Sequence, residues 1–197
     1  MTISLPPPSL PTDSGLTSLL EGRHSIREFR PEPVSLAEVS ALLWAGYGFR
    51  PDGGRTLPSA GGVYPMALHV VAGDVTALDD GVYSYNPEAH QLIRRLAGDL
   101  RADLMSAALG QASVGAAPAS IVVAGAPGRL RARYGKRSER YALVEAGHIG
   151  QNVALAAESL GLGTVPVGAF GDDDVAKVLS LPEAEHAYYI FPIGRPR

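Results

Sequence analysis

Apolar residues recur at helical spacing over Leu36, Val39, Leu42, Leu43 and Tyr47, the signature of a helix with one buried face. Ser35 stands at its cap with Glu38 three positions on, a capping box. Gly46 and Gly48 weaken the end of this helix, and Pro51-Asp52-Gly53-Gly54 stops it. The continuous apolar runs Ala67–Ala72 and Ala119–Gly125 read as buried strands. Gly81–Tyr85 and Gln91–Leu96 form a hairpin pattern around Asn86-Pro87-Glu88. Asp99–Leu109 reads as a helix. The longest helical stretch is Tyr141–Leu160, apolar on most faces, with Gly161 suited to its C′ position. Thr164–Phe170 and Ala187–Ile193 read as strands around a helix at Asp172–Leu179, for which Asp172 is the expected cap. A short helix is expected at Leu16–Glu21, capped by Asp13 or Ser14. Residues 1–15, rich in Pro, Ser and Thr, read as a flexible arm. Strands and helices alternate over residues 16–197, which predicts one α+β domain around a central sheet.

Composition narrows the function classes. The chain has 197 residues, 46% of them hydrophobic and 19% charged, too apolar for a disordered chain. It has no cysteine, which excludes disulfides, thiolate metal sites and cysteine nucleophiles. The net charge of −3 leaves no basic footprint for nucleic acid. The longest apolar runs, such as Ser120–Ala126, are too short to span a bilayer. The first residues carry no signal-peptide pattern, and a cytoplasmic location is expected. Dinucleotide, P-loop, nucleophile-elbow and HExxH motifs are all missing. The histidines form no close pair, so no metal is expected, and His148 reads as a core or interface residue.

Three segments hold candidate chemistry. Arg23-His24-Ser25-Ile26-Arg27 places two guanidiniums, an imidazole and a hydroxyl within five residues. Arginine offers paired, charge-assisted hydrogen bonds to phosphate, and alternation puts Arg23, Ser25 and Arg27 on one side of an extended stretch. A solvated basic turn would look the same. Arg55–Pro65 is rich in small residues that let a backbone approach a flat ligand. Gly161–Phe170 carries glycines that could present main-chain N–H groups in a turn. Arg129–Arg140 is a basic stretch containing Tyr134.

In this order, RHS-x-R-x-F, PSAGG-x-YP, LVEAGHIGQN, GLGTVPVGAF and FPIGRP resemble the nitroreductase family of FMN oxidoreductases. The loop and closing motifs are similar to its SagB-type branch of thiazole/oxazole-forming dehydrogenases. The resemblance spans about Leu16 to Arg197. It implies a nitroreductase-like α+β fold, with a mixed or antiparallel central sheet flanked by helices and a long central dimer helix. It implies that Arg23, His24, Ser25 and Arg27 hold the phosphate and pyrimidine edge of FMN. Pro58, Ser59, Ala60 and Gly62 would face the flavin from the second subunit. Pro166, Val167, Gly168 and Ala169 would lie along it, and Gly194 and Arg195 would close the phosphate end.

The implied activity is ping-pong hydride transfer from NAD(P)H through the flavin to a small flat acceptor, a nitroaromatic or a quinone, in a homodimer. Oxidation of a peptide-derived azoline, or flavin binding without catalysis, are the alternatives. Gly62 stands where many relatives have asparagine, and Gly168-Ala169 where many have Glu-Gly. The adjacent Lys-Tyr pair of azoline-oxidising relatives is missing, and only Tyr134, Lys136 and Tyr141 are candidates to replace it.

Overall fold

The computed structural model describes residues 1–13 and 15–197. In chain order the elements are β1 (Thr2–Ser4), α1 (Leu16–Gly22), β2 (Val34–Ser35), α2 (Leu36–Tyr47), β3 (Met66–Ala72), β4 (Val75–Thr76), β5 (Gly81–Asn86) and β6 (Gln91–Ala97). There follow α3 (Arg101–Ala107), α4 (Ala112–Ala116), β7 (Ala119–Gly125), α5 (Arg131–Tyr134), α6 (Ser138–Ser159), β8 (Gly163–Thr164), α7 (Asp172–Leu179) and β9 (His186–Gly194). Seven strands form one sheet in the order β1-β6-β5-β3-β7-β9-β8. Every neighbouring pair in it is antiparallel. β2 and β4 form a separate parallel pair.

The continuous apolar strands are buried on both faces because helices cover both. Along β3, Leu68, Val70 and Ala72 enter one core with α2 and α6, while Val71 enters a second core with α3 and α7. The same alternation sends Ile121 and Val123 of β7 to the first core and Val122 to the second. α2 begins where the capping box predicts: Ser35 Oγ accepts from the Glu38 N–H at 3.2 Å, and Glu38 Oε2 accepts from the Ser35 N–H at 2.7 Å. Gly46 does not fray α2. It sits buried where a Cβ would come within 3.0 Å of Val153 Cγ2 of α6, so its missing side chain lets the two helices close. Gly161, just past α6, adopts φ +66, as its expected C′ position requires.

The structure departs from the sequence pattern in four places. The N-terminal segment is not a free arm throughout: β1 pairs with β6, Leu5 is buried, and Ser40 Oγ donates to the Pro6 carbonyl at 2.7 Å. Thr164–Phe170 is not a full strand. Only Gly163 and Thr164 pair with β9, and Val167 makes one further bridge to Ile190, because Pro166 between them has no N–H to donate. α7 is capped at Gly171, so Asp172 is its first helical residue and acts on the helix dipole rather than as a cap. α1 is capped at Gly15 without a side-chain bond, so Asp13 does not cap it, and Ser14 lies outside the described residues.

Candidate functional site

Arg23 to Arg27 leave α1 in an extended path along β8. The Ile26 N–H donates to the Thr164 carbonyl at 2.9 Å, and Ser25 bridges Thr164 in parallel. Ile26 packs on Gly163, where a Cβ would lie 2.7 Å away. With Ile26 turned inward, Ser25 and Arg27 are exposed and Arg23 is half-buried. Neither Arg23 nor Arg27 has a carboxylate partner among the described residues. Beside them the buried Thr164 Oγ1 has no hydrogen-bond partner among the described residues. His24 is the exception: its Nδ1 lies 2.6 Å from the Gly22 carbonyl and closes the end of α1.

Arg23 opens onto a cavity of about 180 Å³, floored by Gly147, Gly150, Gln151 and Ala154 of α6 and walled by Pro166, Tyr189 and Phe191. The floor residues fall at i, i+3, i+4 and i+7, one face of the helix. Small side chains on that face make the groove, and a Cβ on Gly147 would touch nothing. Val167 anchors the adjoining turn, its N–H donating to the Ile190 carbonyl at 2.8 Å and its carbonyl accepting from the Ile190 N–H at 2.9 Å. Pro166 is exposed at the cavity's wall, and Gly168 and Ala169, just past it in the chain, are exposed as well. Gly168 also borders a second cavity of about 370 Å³, lined by Glu139, Leu143, Phe170, Asp172, His186 and Tyr188. There the Tyr188 hydroxyl donates to Glu139 Oε1 at 3.1 Å, and burial with the Glu139 charge raises its pKa, keeping it protonated.

The structure therefore brings Arg23, Ser25, Arg27, Pro166, Val167, Gly168 and Gly194 to one region, since Gly194 pairs with Gly163. It does not bring Pro58, Ser59, Ala60 and Gly62 there. Those residues lie on the other side of α6, where Ser59 Oγ donates to Glu145 Oε2 at 2.6 Å. Glu145 points opposite to the Gly147–Ala154 floor, and none of the loop residues lines that cavity. Arg195 is near but engaged: its guanidinium donates to Glu38 Oε1 at 2.6 Å, joining the end of β9 to the cap of α2. Tyr134 and Tyr141 stack edge to face at 4.7 Å, and Arg133 Nη1 donates to the Gly61 carbonyl at 3.2 Å. The basic stretch thus covers the Ala60–Gly62 turn, while Lys136 is exposed. His148 is exposed on α6 rather than in the core.

Sequence reasoning missed Glu139, Tyr188, Tyr189 and the α6 groove. The groove had a signal, the helical spacing of small residues within AGHIGQNVALA. The tyrosines had none, because a strand tyrosine reads equally as core. Among the described residues no group of side chains has the makings of a metal site, and no helix is long and apolar enough to cross a membrane.

The chain belongs to the nitroreductase family, whose family model matches residues 20–195. A candidate nitroreductase of Methanocaldococcus jannaschii is 40% identical over 181 residues, covering 91% of this chain and 90% of its own. A solved candidate nitroreductase of Ralstonia eutropha superposes with a TM-score of 0.86 at 34% identity, covering 100% of this chain and 90% of that one. Another, from Anabaena variabilis, has a TM-score of 0.89 at 30% identity, and this chain spans 42% of its length. The fold also matches the Escherichia coli microcin synthetase McbBCD complex (TM-score 0.77, 21% identity, covering 97% of this chain and 77% of that one). Membership in this family makes the general activity that of an oxidoreductase.

Proposed function

We propose that the protein is an FMN-dependent oxidoreductase that works as a homodimer. The observation that carries this reading is the pair of arginines, Arg23 and Arg27, without carboxylate partners among the described residues on either side of Ser25, with Arg23 opening onto a groove with a glycine floor. A phosphate bound there gains charge-assisted bonds from both guanidiniums and the hydroxyl. A flat ring fits a surface made of Gly147, Gly150 and Ala154. Gly168, exposed two residues past the Pro166 wall, leaves no side chain in the way. Once bound, FMN supplies hydride acceptance and donation at its N5 atom. The protein's own residues orient the ring, keep one face dry and direct N–H groups at it.

Two features support the dimer. The loop Pro58–Gly62 does not meet the groove of its own chain, because α6 stands between them. The outer face of α6 exposes Leu143 (54%) and Val144 (50%) next to Gly147, an apolar stripe suited to a second copy of the helix. On this reading, the partner's Pro58–Gly62 completes the groove. NAD(P)H as donor and a small flat acceptor would then use the larger cavity beside Gly168 in turn.

A second reading, dehydrogenation of a peptide-derived azoline or another biosynthetic intermediate, draws on the PSAGGVYP and FPIGRP motifs. It needs a base, for which Tyr134, Lys136 and Tyr141 are the candidates. The test is the absorbance spectrum of the purified protein with added FMN, followed by anaerobic NADPH and NADH. Bound flavin bleached by either nucleotide is expected. Bound flavin that neither nucleotide bleaches would favour the second reading, and no uptake of FMN would overturn both.

A further inference from the structure

Glu145 is a carboxylate only 1% exposed, on the side of α6 away from the groove. Its Oε2 accepts from Ser59 Oγ at 2.6 Å and its Oε1 from the Tyr47 hydroxyl at 3.4 Å. Both hydroxyls accept in turn from the backbone. Ser59 Oγ takes the Tyr64 N–H at 2.9 Å, and the Tyr47 oxygen takes the Met66 N–H at 3.0 Å. Segment Ser59–Met66 therefore hangs at Ser59, Tyr64 and Met66 from one side chain of α6.

The segment needs such support. Gly61 and Gly62 have φ of +60 and +67, and Tyr64 has φ +51. A tyrosine persists in the left-handed region only where its surroundings over-determine it. Here its N–H is held through Ser59, and its ring packs on Tyr47 at 6.3 Å and on the Arg55 guanidinium at 4.7 Å. The acceptor has to be a carboxylate. Each hydroxyl receives a backbone N–H and has its own proton to give, so two protons converge on residue 145. A carboxylate accepts both, whereas an amide accepts one and opposes the other with an N–H of its own. Burial raises the Glu145 carboxyl above the usual range. The Ser59 and Tyr47 bonds, and the nearby His148 and Arg55, act in the opposite direction.

We propose that Glu145 is a positioning residue: through Ser59 and Tyr47 it fixes the backbone of Ser59–Met66, the segment that meets the partner subunit's flavin. This rests on the reading above that Pro58–Gly62 faces a flavin across the dimer. It assigns a role to a residue that touches neither cofactor nor substrate.

The experiment is hydrogen–deuterium exchange on the full-length wild type, Glu145→Gln and Ser59→Ala, with and without FMN, alongside FMN titrations by fluorescence quenching. Ser59→Ala removes a single oxygen and keeps the test usable should the α6 variant fold poorly. The expected result is roughly tenfold faster exchange in peptides spanning residues 59–66 for both variants, from the loss of about one hydrogen bond. Exchange elsewhere stays at wild-type rates, and FMN affinity falls several-fold. Unchanged exchange in this segment overturns the proposal. Faster exchange with undiminished FMN affinity overturns it as well, since the segment is then held but not positioned for the cofactor. A wild type that takes up no FMN fails the functional reading itself, and the proposal with it.

Discussion

Arg27 and Arg195 are both arginines in the motifs that resemble flavin-binding signatures, yet their surroundings give them different work. Arg27 is exposed and, among the described residues, has no carboxylate partner, in the segment where Ser25 runs beside Thr164. Arg195 spends its guanidinium on Glu38, which also closes the capping box of α2. Arg27→Ala should therefore weaken FMN binding by about ten- to a hundredfold, the value of a charge-assisted bond of roughly 1.5–3 kcal/mol. A quenching titration reads this directly, and equal affinity in the variant would move the phosphate site elsewhere. Glu145 gives a pH prediction. Its carboxyl is raised by burial, so the folded chain holds that proton more tightly than the unfolded chain. Its contribution to stability is full below the unfolded carboxyl's range and is lost as pH rises through the raised folded value. Melting temperatures of the wild type should fall relative to Glu145→Gln between acid and neutral pH. Parallel curves would show that the carboxyl is not raised. At this scale the sequence named the basic cluster but could not tell a ligand-facing arginine from a structural one, because Glu38 lies 157 positions from its partner.

Elements were legible where a local rule decided them. α2 is set by its capping box, and β3 and β7 by unbroken apolar runs that only a sheet covered on both faces accommodates. They were illegible where a distant partner decided. β1 is a strand because the edge of β6 was available, and the Thr2↔Ile93 register leaves no trace in a Pro-rich segment. Thr164–Phe170 has the alternation of a strand, yet only its first residue and Val167 pair, and that interruption turns Pro166 and Gly168 toward the cavities. The docked N-terminus carries its own consequence. Leu5 is buried in the first core, so Leu5→Ala should cost about 2–3 kcal/mol in urea unfolding. FMN affinity should be unchanged at temperatures where the variant is folded. A loss below 0.5 kcal/mol (roughly the cost of a surface substitution) would mean that the strand is dispensable.

Across the whole molecule, the motifs that stand close in sequence order fall on two sides of one helix. Arg23 and Pro166 border the groove, with Ser25 and Gly194 beside β8, while Pro58–Gly62 lies behind α6, latched by Glu145. Nothing in the order of the motifs reveals this division, which appears only when α6 is placed between them. On the proposed reading, each flavin is held by two chains. The direct measurement is FMN bound to a heterodimer of an Arg27→Ala chain and an Ala60→Trp chain, purified on two tags. Each parent homodimer damages both of its sites. In the heterodimer one site collects both substitutions and the other collects neither. A two-chain site therefore binds about one FMN per heterodimer at wild-type affinity, at concentrations where neither parent binds. Absence of any such recovery would contradict the shared site and confine the flavin to a single chain.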